Sequence, residues 1–215
     1  RDLLSLTLIP FDTHLMINEP VKHVHEYIDA GSDIVTVHAE VCDESSFGEI
    51  CDILQSNQIG IGLAINPDTE LPQWSYKFVP LLDQVIIMSV VPGKSGQKFI
   101  ESTHEKTQLI SRDLKQHNFE GYIEADGGVN LENVGSCFED GARAFVGGSS
   151  IVGQSDVRLI IKEFRNNILE SRRRSLIKKA HEIGGKELVN SWIDLHIVGK
   201  KKDSLVQIAK ELGFQ

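Results

Sequence analysis

The sequence predicts an α/β fold of the (β/α)-barrel type, in which a parallel sheet carries polar side chains at the C-terminal ends of its strands. Three observations point there. Short apolar, β-branched runs alternate with polar, helix-compatible stretches, the signature of βαβ units. Gly31, Gly60, Gly121 and Gly141 each stand a few residues before a run, where helix C-caps in αβ loops belong. The runs end on residues too polar for strands buried only to make core, and in barrels that end of the sheet is where chemistry is found.

Phe11–Met16 is the first expected strand, and strict alternation puts Asp12 and His14 on one face with Phe11 and Thr13 on the other. Ile34–His38 follows, and Glu40 beyond it shares the face of His38. Ile61–Ile65 leads into Asn66, and Gln84–Val90 carries Ser89. Tyr122–Asp126 opens the triplet Asp126-Gly127-Gly128, and Ala144–Gly147 opens Gly148-Ser149-Ser150. A helix from Asp156 to Ser171 closes the sixth βα unit.

Composition narrows the function classes. With 40% hydrophobic and 25% charged residues, a chain of 215 has the make-up and length for one well-buried soluble core. No run of about 18 apolar residues occurs, so no membrane-spanning helix is expected. No charged-then-apolar leader follows Arg1, so no secretory signal is expected. Cys42, Cys51 and Cys137 are odd in number and lack metal-ligand spacing, which reads as reduced thiols in a cytoplasmic protein. A net charge of −9 argues against nucleic acid as a partner of the whole surface.

The charge is unevenly spread. From Arg172 onward ten Lys/Arg face five Asp/Glu, whereas the first 171 residues hold twelve and 26. The expected division is therefore a unit of six βα elements over 1–171 and a basic extension over 172–215. Within the extension, Ser175–Ile183 and Ser204–Leu212 read as amphipathic helices and Trp192–Val198 as strand-like. Lys200-Lys201-Lys202 reads as a solvated loop. Ser204–Phe214 has the look of a helix-turn-helix opening without its second helix, so DNA binding is not expected.

The last two strand ends carry the clearest chemistry. Gly127-Gly128 and Gly147-Gly148 occupy corresponding positions, where glycine lets backbone N–H groups come close to a ligand and a following helix favours an anion. Loops after the last two strands of such barrels recurrently hold phosphate. Pro92-Gly93-Lys94-Ser95-Gly96-Gln97 is either a loop that closes over the site or a plain Pro-Gly turn. Asp126 is either a metal ligand paired with His14 across the barrel mouth or the N-cap of a helix over Asn130–Cys137. His38 and Glu40 read as lining the pocket or standing behind its lining.

Taken in order, Phe11-Asp12-Thr13-His14-Leu15-Met16, Asp33-Ile34-Val35-Thr36-Val37-His38-Ala39-Glu40, Gly62-Leu63-Ala64-Ile65-Asn66-Pro67, Met88-Ser89-Val90-Val91-Pro92-Gly93-Lys94-Ser95-Gly96-Gln97-Lys98-Phe99-Ile100, Ile123-Glu124-Ala125-Asp126-Gly127-Gly128-Val129 and Val146-Gly147-Gly148-Ser149-Ser150-Ile151 resemble strands three to eight of the ribulose-phosphate 3-epimerase family. The resemblance runs from Pro10 to Ser171. It implies a (β/α)8 barrel whose first two βα units would lie before Arg1, and interconversion of D-ribulose 5-phosphate and D-xylulose 5-phosphate by inversion at C3. It implies one divalent metal ion, of Zn, Fe, Mn or Co type, bound by His14 and Asp126, with Asp126 also a catalytic acid/base. Substrate binding would fall to His14, Gly93, Lys94, Ser95, Gly96, Asp126, Gly127, Gly128, Gly148 and Ser149. The partner is then a phosphorylated ketopentose, with a homo-oligomer compatible and no membrane involved.

The family's first strand bears a substrate-binding Ser and its second a His-x-Asp pair, and neither is found in these residues. Lys94-Ser95 stands where the family usually has Phe-Gly. The expectation for the 215 residues alone is thus weak metal binding and negligible turnover. A circular permutation offers the opposite: Asp194 and His196, on one face of a C-terminal strand, would replace the missing pair. Two further readings are a ketohexose-phosphate 3-epimerase and a non-catalytic sugar-phosphate-binding protein.

Overall fold

The computed structural model describes residues 7–93 and 96–197. Six strands form one parallel sheet in chain order: β1 Asp12–Leu15, β2 Ile34–His38, β3 Gly60–Ile65, β4 Gln84–Met88, β5 Tyr122–Asp126 and β6 Ala142–Val146. Helices α1 Pro20–Ala30, α2 Glu44–Ser56, α3 Thr103–Gln116 and α4 Val134–Asp140 make four of the crossovers, and α5 Val157–Ile197 follows β6. Between β3 and β4 the chain returns through two short 3₁₀ turns, Gln73–Lys77 and Val79–Leu81.

Local sequence explains the helix ends. Pro20 opens α1, where its missing N–H is not needed. Asp43 and Ser46 close a reciprocal capping box on α2, with Ser46 N–H donating to Asp43 Oδ1 at 2.8 Å and Asp43 N–H to Ser46 Oγ at 2.9 Å. Gly31 and Gly141 cap α1 and α4 as expected. Gly60 and Gly121 do not cap α2 and α3; Asn57 and His117 do, followed by Gln58 and Asn118 at φ 59° and 58°. A Cβ on Gly121 would lie 2.3 Å from the Asp83 carbonyl oxygen, so this glycine is required by packing against the neighbouring strand.

The period of two sorts the sheet into two faces. Val35, Val37, Ile61, Leu63, Ile65, Val85, Ile87, Ile123 and Ala125 point outward into the main core shared with the helices. The alternate positions point inward and are largely polar: Asp12 and His14, Thr36 and His38, Gln84, Glu124 and Asp126. A small buried apolar group, Ala64, Ile86, Met88 and Val90, shares that interior.

The sheet is curled. In a flat sheet β1 and β5 would stand four strand spacings apart, about 19 Å. Instead His14 on β1 lies 3.3 Å from Asp126 on β5, and Asp12 on β1 accepts a 2.9 Å hydrogen bond from Gln84 on β4. The inner faces therefore converge as in a barrel. Among the described residues the curl is not closed: β1 pairs only with β2, and β6 only with β5.

The expected Ala144–Gly147 strand begins two residues earlier, at Ala142. The larger correction concerns Trp192–Val198. The helix α5 runs unbroken through Ile197, and Val198 lies outside the described residues, as do Lys200–Lys202 and Ser204–Leu212. Asp194 and His196 thus lie in a helical stretch of backbone and not in the strand on which the permutation depended. No break marks Arg172. What changes there is burial, since Ser171 is wholly buried and Arg172, Arg173 and Arg174 are exposed. No helix among the described residues is long and apolar enough to cross a membrane.

Candidate active site

The inner face has two polar layers. In the lower one, Gln84 Nε2 donates to Asp12 Oδ1 and to the buried Thr36 hydroxyl. Gly62 makes room for this layer, because a Cβ there would overlap Thr36 and Gln84. Burial, reinforced by Asp12 and Asp126, pushes the Glu124 carboxyl up to about 8, so it is largely protonated at neutral pH. Burial also raises Asp12, against the Gln84 hydrogen bond and His14.

The upper layer is a row across the barrel mouth. Asp126 Oδ2 lies 3.3 Å from His14 Nδ1, His14 Nε2 lies 2.9 Å from His38 Nε2, and His38 Nδ1 lies 3.1 Å from Glu40 Oε2. Burial opposes the charge on Glu40. Hydrogen bonds from His38, the Asn66 amide and Thr69 outweigh it and hold its carboxyl down at about 2. Behind Glu40, Lys106 on α3 donates to the carbonyls of Asn66 and Thr69, which fastens the loop after β3. Burial lowers the Lys106 ammonium to about 8, against Glu40 and Asp68.

Asp126 is not a helix cap. The helix begins at Val134, eight residues on, and Asn130 and Asn133 supply the local turn by exchanging side-chain to backbone hydrogen bonds. The carboxylate is left free to face His14. Ser89 holds the triplet that follows: its N–H donates to the Asp126 carbonyl at 2.7 Å, and its hydroxyl lies within hydrogen-bond reach of the carbonyls of Asp126 and Gly127.

A cavity of about 410 Å³ opens beside this row. Its lining gathers the two glycine-rich strand ends and the connection after β4, with Gly93, Gly96, Asp126, Gly127, Gly128, Gly148 and Ser149 all contributing. Seven expected binding residues thus meet at one cavity. His14 reaches it through its contact with Asp126. Lys94 and Ser95 lie outside the described residues. Met16, Gln97 and Ser150 also line the cavity; Gln97 and Ser150 belong to the loop and the strand end marked in the sequence, without being named as binding residues. Lys106 was unmarked, being one lysine among many on a polar helix. Glu124 was legible by alternation with Asp126.

The two glycine pairs differ in what requires them. Gly127 and Gly128 have φ of 116° and 64°, and a Cβ on them would strike Val90 and the Phe99 backbone. Gly148 begins a single π-helical turn, Gly148–Val152, and a Cβ there would meet nothing within 4 Å. The first N–H groups of such a turn have no partner within it.

Among the described residues no three His, Cys, Asp or Glu side chains surround a common point as a metal site would require. His14 and Asp126 fit as a pair. One nitrogen and one carboxylate oxygen 3.3 Å apart suit a borderline divalent ion, but they are two ligands where a closed shell needs four or more.

Comparison with known proteins decides the family. The model of the "Ribulose-phosphate 3 epimerase family" matches residues 1–152. The chain belongs to that family, which is a family of isomerases. It is 36% identical over 163 residues to ribulose-phosphate 3-epimerase of Bacillus subtilis, covering 75% of this chain and 74% of that one. The Escherichia coli K12 enzyme of the same name is 34% identical over 159 residues, covering 74% and 69%. The chloroplastic ribulose-5-phosphate-3-epimerase of Arabidopsis thaliana is 38% identical over 160 residues, covering 74% of this chain and 57% of that one. Among solved structures, 3-hexulose-6-phosphate synthase from Salmonella typhimurium aligns at a TM-score of 0.57 and 14% identity, covering 79% and 78%. KGPDC from Streptococcus mutans aligns at 0.59 and 13%, covering 79% and 76%. At such identity these last two speak to the barrel-like fold alone.

Proposed function

We propose that this site performs the epimerase chemistry of its family on a ketopentose 5-phosphate, interconverting the ribulose and xylulose forms at C3. The observation that carries the reading is that Asp126, set against His14, and the Gly148-Ser149 turn line one cavity. A phosphorylated pentulose spans that arrangement. Its phosphate sits against the free N–H groups at Gly148 and Ser149, and C3 lies near the Asp126 carboxylate.

Inversion removes a proton from one face of C3 and returns one to the other, so it takes two acid/base groups on opposite sides. Asp126 is one. The free edges of β1 and β6 favour two further βα units that close the sheet into a (β/α)8 barrel, and we assign the opposing group to those units. His14 and Asp126 would be two of the ligands of a divalent ion, which when bound would supply positive charge against the negative charge that develops on the sugar. Gly93 and Gly96, both at positive φ with open space around them, border the cavity in a connection that covers the substrate.

The test is hydrogen exchange at C3. With D-ribulose 5-phosphate and a divalent metal in D₂O, the protein carrying the two closing βα units should replace the C3 hydrogen by deuterium, read by NMR. Asp126→Asn should slow that exchange by about 10²–10⁴-fold. A parent protein that binds the sugar phosphate without any exchange would overturn the reading, as would a variant within a few-fold of the parent.

A further inference from the structure

Asp140 stands where a carboxylate is poorly favoured. It is the last residue of α4, at the negative end of the helix dipole, and it is only 7% exposed. Its hydrogen-bond donors come from α3. Gln108 Nε2 donates to Asp140 Oδ1 at 2.7 Å, and His104 Nδ1 donates to Asp140 Oδ2. Among the described residues His104 is its one ion-pair partner. His104 and Gln108 are four residues apart, hence on one face of α3. The two helices approach closely there, since a Cβ on Gly141 would lie 2.3 Å from Ser111 Oγ.

His104 carries this anchor towards the cavity. Its ring lies against the Phe99 ring, with centroids 4.9 Å apart and planes at 39°. Its Nε2 is 3.6 Å from the exposed Glu101 carboxylate. Phe99 belongs to the connection from β4 to α3, and its main chain faces the end of β5. A Cβ on Gly128 would lie 2.5 Å from the Phe99 nitrogen and 3.1 Å from the Gln97 carbonyl oxygen. Gln97, Gly127 and Gly128 line the cavity. One residue past Phe99, the Ile100 N–H donates to the Ser89 carbonyl at 2.9 Å, and Ser89 in turn holds the carbonyls of Asp126 and Gly127.

We propose that His104 and Asp140 are positioning residues, a clasp outside the cavity that fixes Phe99 and thereby seats the β4–α3 connection on Gly127 and Gly128. Apolar packing of α3 on α4 would be non-directional. Hydrogen bonds to both Asp140 oxygens give the contact a direction, which sets the His104 ring, and the ring sets Phe99. The effect on binding rests on the reading of the cavity as a sugar-phosphate site; the clasp itself does not.

His104→Asn separates the anchor from the ring. Its Nδ2 takes the place of the imidazole Nδ1 as donor to Asp140, and the ring against Phe99 is lost. In ¹⁵N–¹H correlation spectra the Gly127 and Gly128 amides should shift from their parent positions, while the melting temperature changes little. Calorimetric titration should show D-ribulose 5-phosphate binding weakened about 2- to 30-fold. Asp140→Asn, which keeps the shape and removes the charge, should shift the same two amides.

Leu114→Ala is the control, because Leu114 is wholly buried on the same helix and touches neither His104 nor the connection through any of these bonds. It should lower the melting temperature strongly and leave both amides in place. If His104 served stability alone, amide shifts would follow loss of stability and Leu114→Ala would show the larger ones. That result, or unmoved amides in His104→Asn, would overturn the proposal. The spectra need no ligand, so a parent that fails to bind the sugar phosphate sinks the epimerase reading, and unmoved amides sink the clasp.

Discussion

Gly128 and Gly148 stand at matching places after successive strands, yet a side chain would meet different things at each. On Gly128 it would face φ of 64° and the Phe99 backbone nitrogen 2.5 Å away. Left-handed backbone alone costs an L-residue about 1–2 kcal/mol. Gly128→Ala should therefore lower the melting temperature by at least about 2 °C, before the clash is counted. On Gly148 the space is open. Gly148→Glu should leave the melting temperature near that of the parent and abolish binding of ribulose 5-phosphate, by setting a carboxylate where the phosphate belongs. Calorimetric titration beside a thermal melt separates the two. Unchanged affinity in Gly148→Glu would move the phosphate elsewhere. The sequence showed two equivalent glycine pairs; only the packing of the β4–α3 connection against Gly127 and Gly128 tells them apart.

At the scale of elements, α5 is the one whose sequence reading changed most. Its first part packs on α4 through Ile160, Phe164 and Ile168, and Asn167 Nδ2 donates to the Leu131 carbonyl at 2.6 Å. Ser171 ends that contact with a 2.9 Å bond to the Gly135 carbonyl. Beyond it Arg172, Arg173, Arg174, Leu176, Lys178 and Lys179 are exposed. Helical stability in proteins comes mostly from tertiary packing, so one helix should have two stabilities. Amide hydrogen exchange should be slower for residues 160–171 than for 172–179 by an order of magnitude or more. Uniform protection across Ser171 would show that something packs on the second part. The charge shift at Arg172 was visible in the composition. It marks where the helix loses its contacts, and charge alone could not say that the helix continues.

For the whole molecule, the polar interior carries a pH dependence. Glu124 holds its proton more tightly folded, at about 8, than its ordinary value of 4.5, because burial and the neighbouring Asp12 and Asp126 disfavour its charge. The stability linked to that proton is fully present below about 4.5, declines as pH rises and is gone above about 8. Asp12, also raised, acts in the same direction. In the presence of a chelator, the urea midpoint should fall between about pH 5 and about pH 8. Glu124→Gln should remove most of that fall. A parent whose midpoint is flat or rising over that range would show that the interior relieves Glu124 in another way.

The sequence by itself determined the six strands and the shared face of Asp12 and His14. Alternation with period two is local, and a polar residue at every second position of a buried strand has only one face to occupy. It also determined which residues end the strands, hence most of the cavity lining. It left open whether Asp126 caps a helix or faces His14, because both readings use the same residue type at the same place. Tertiary structure decided that by curling the sheet until His14 on β1 faced Asp126 on β5 and by starting the helix at Val134, after a turn closed by Asn130 and Asn133. It decided too that Asp194 and His196 lie on a helix, since a short apolar run has no period long enough to tell strand from helix. The row from Glu40 to Asp126 needed it most. Residues 14, 38, 40 and 126 come from three strand ends, and they meet only once distance in space replaces distance along the chain.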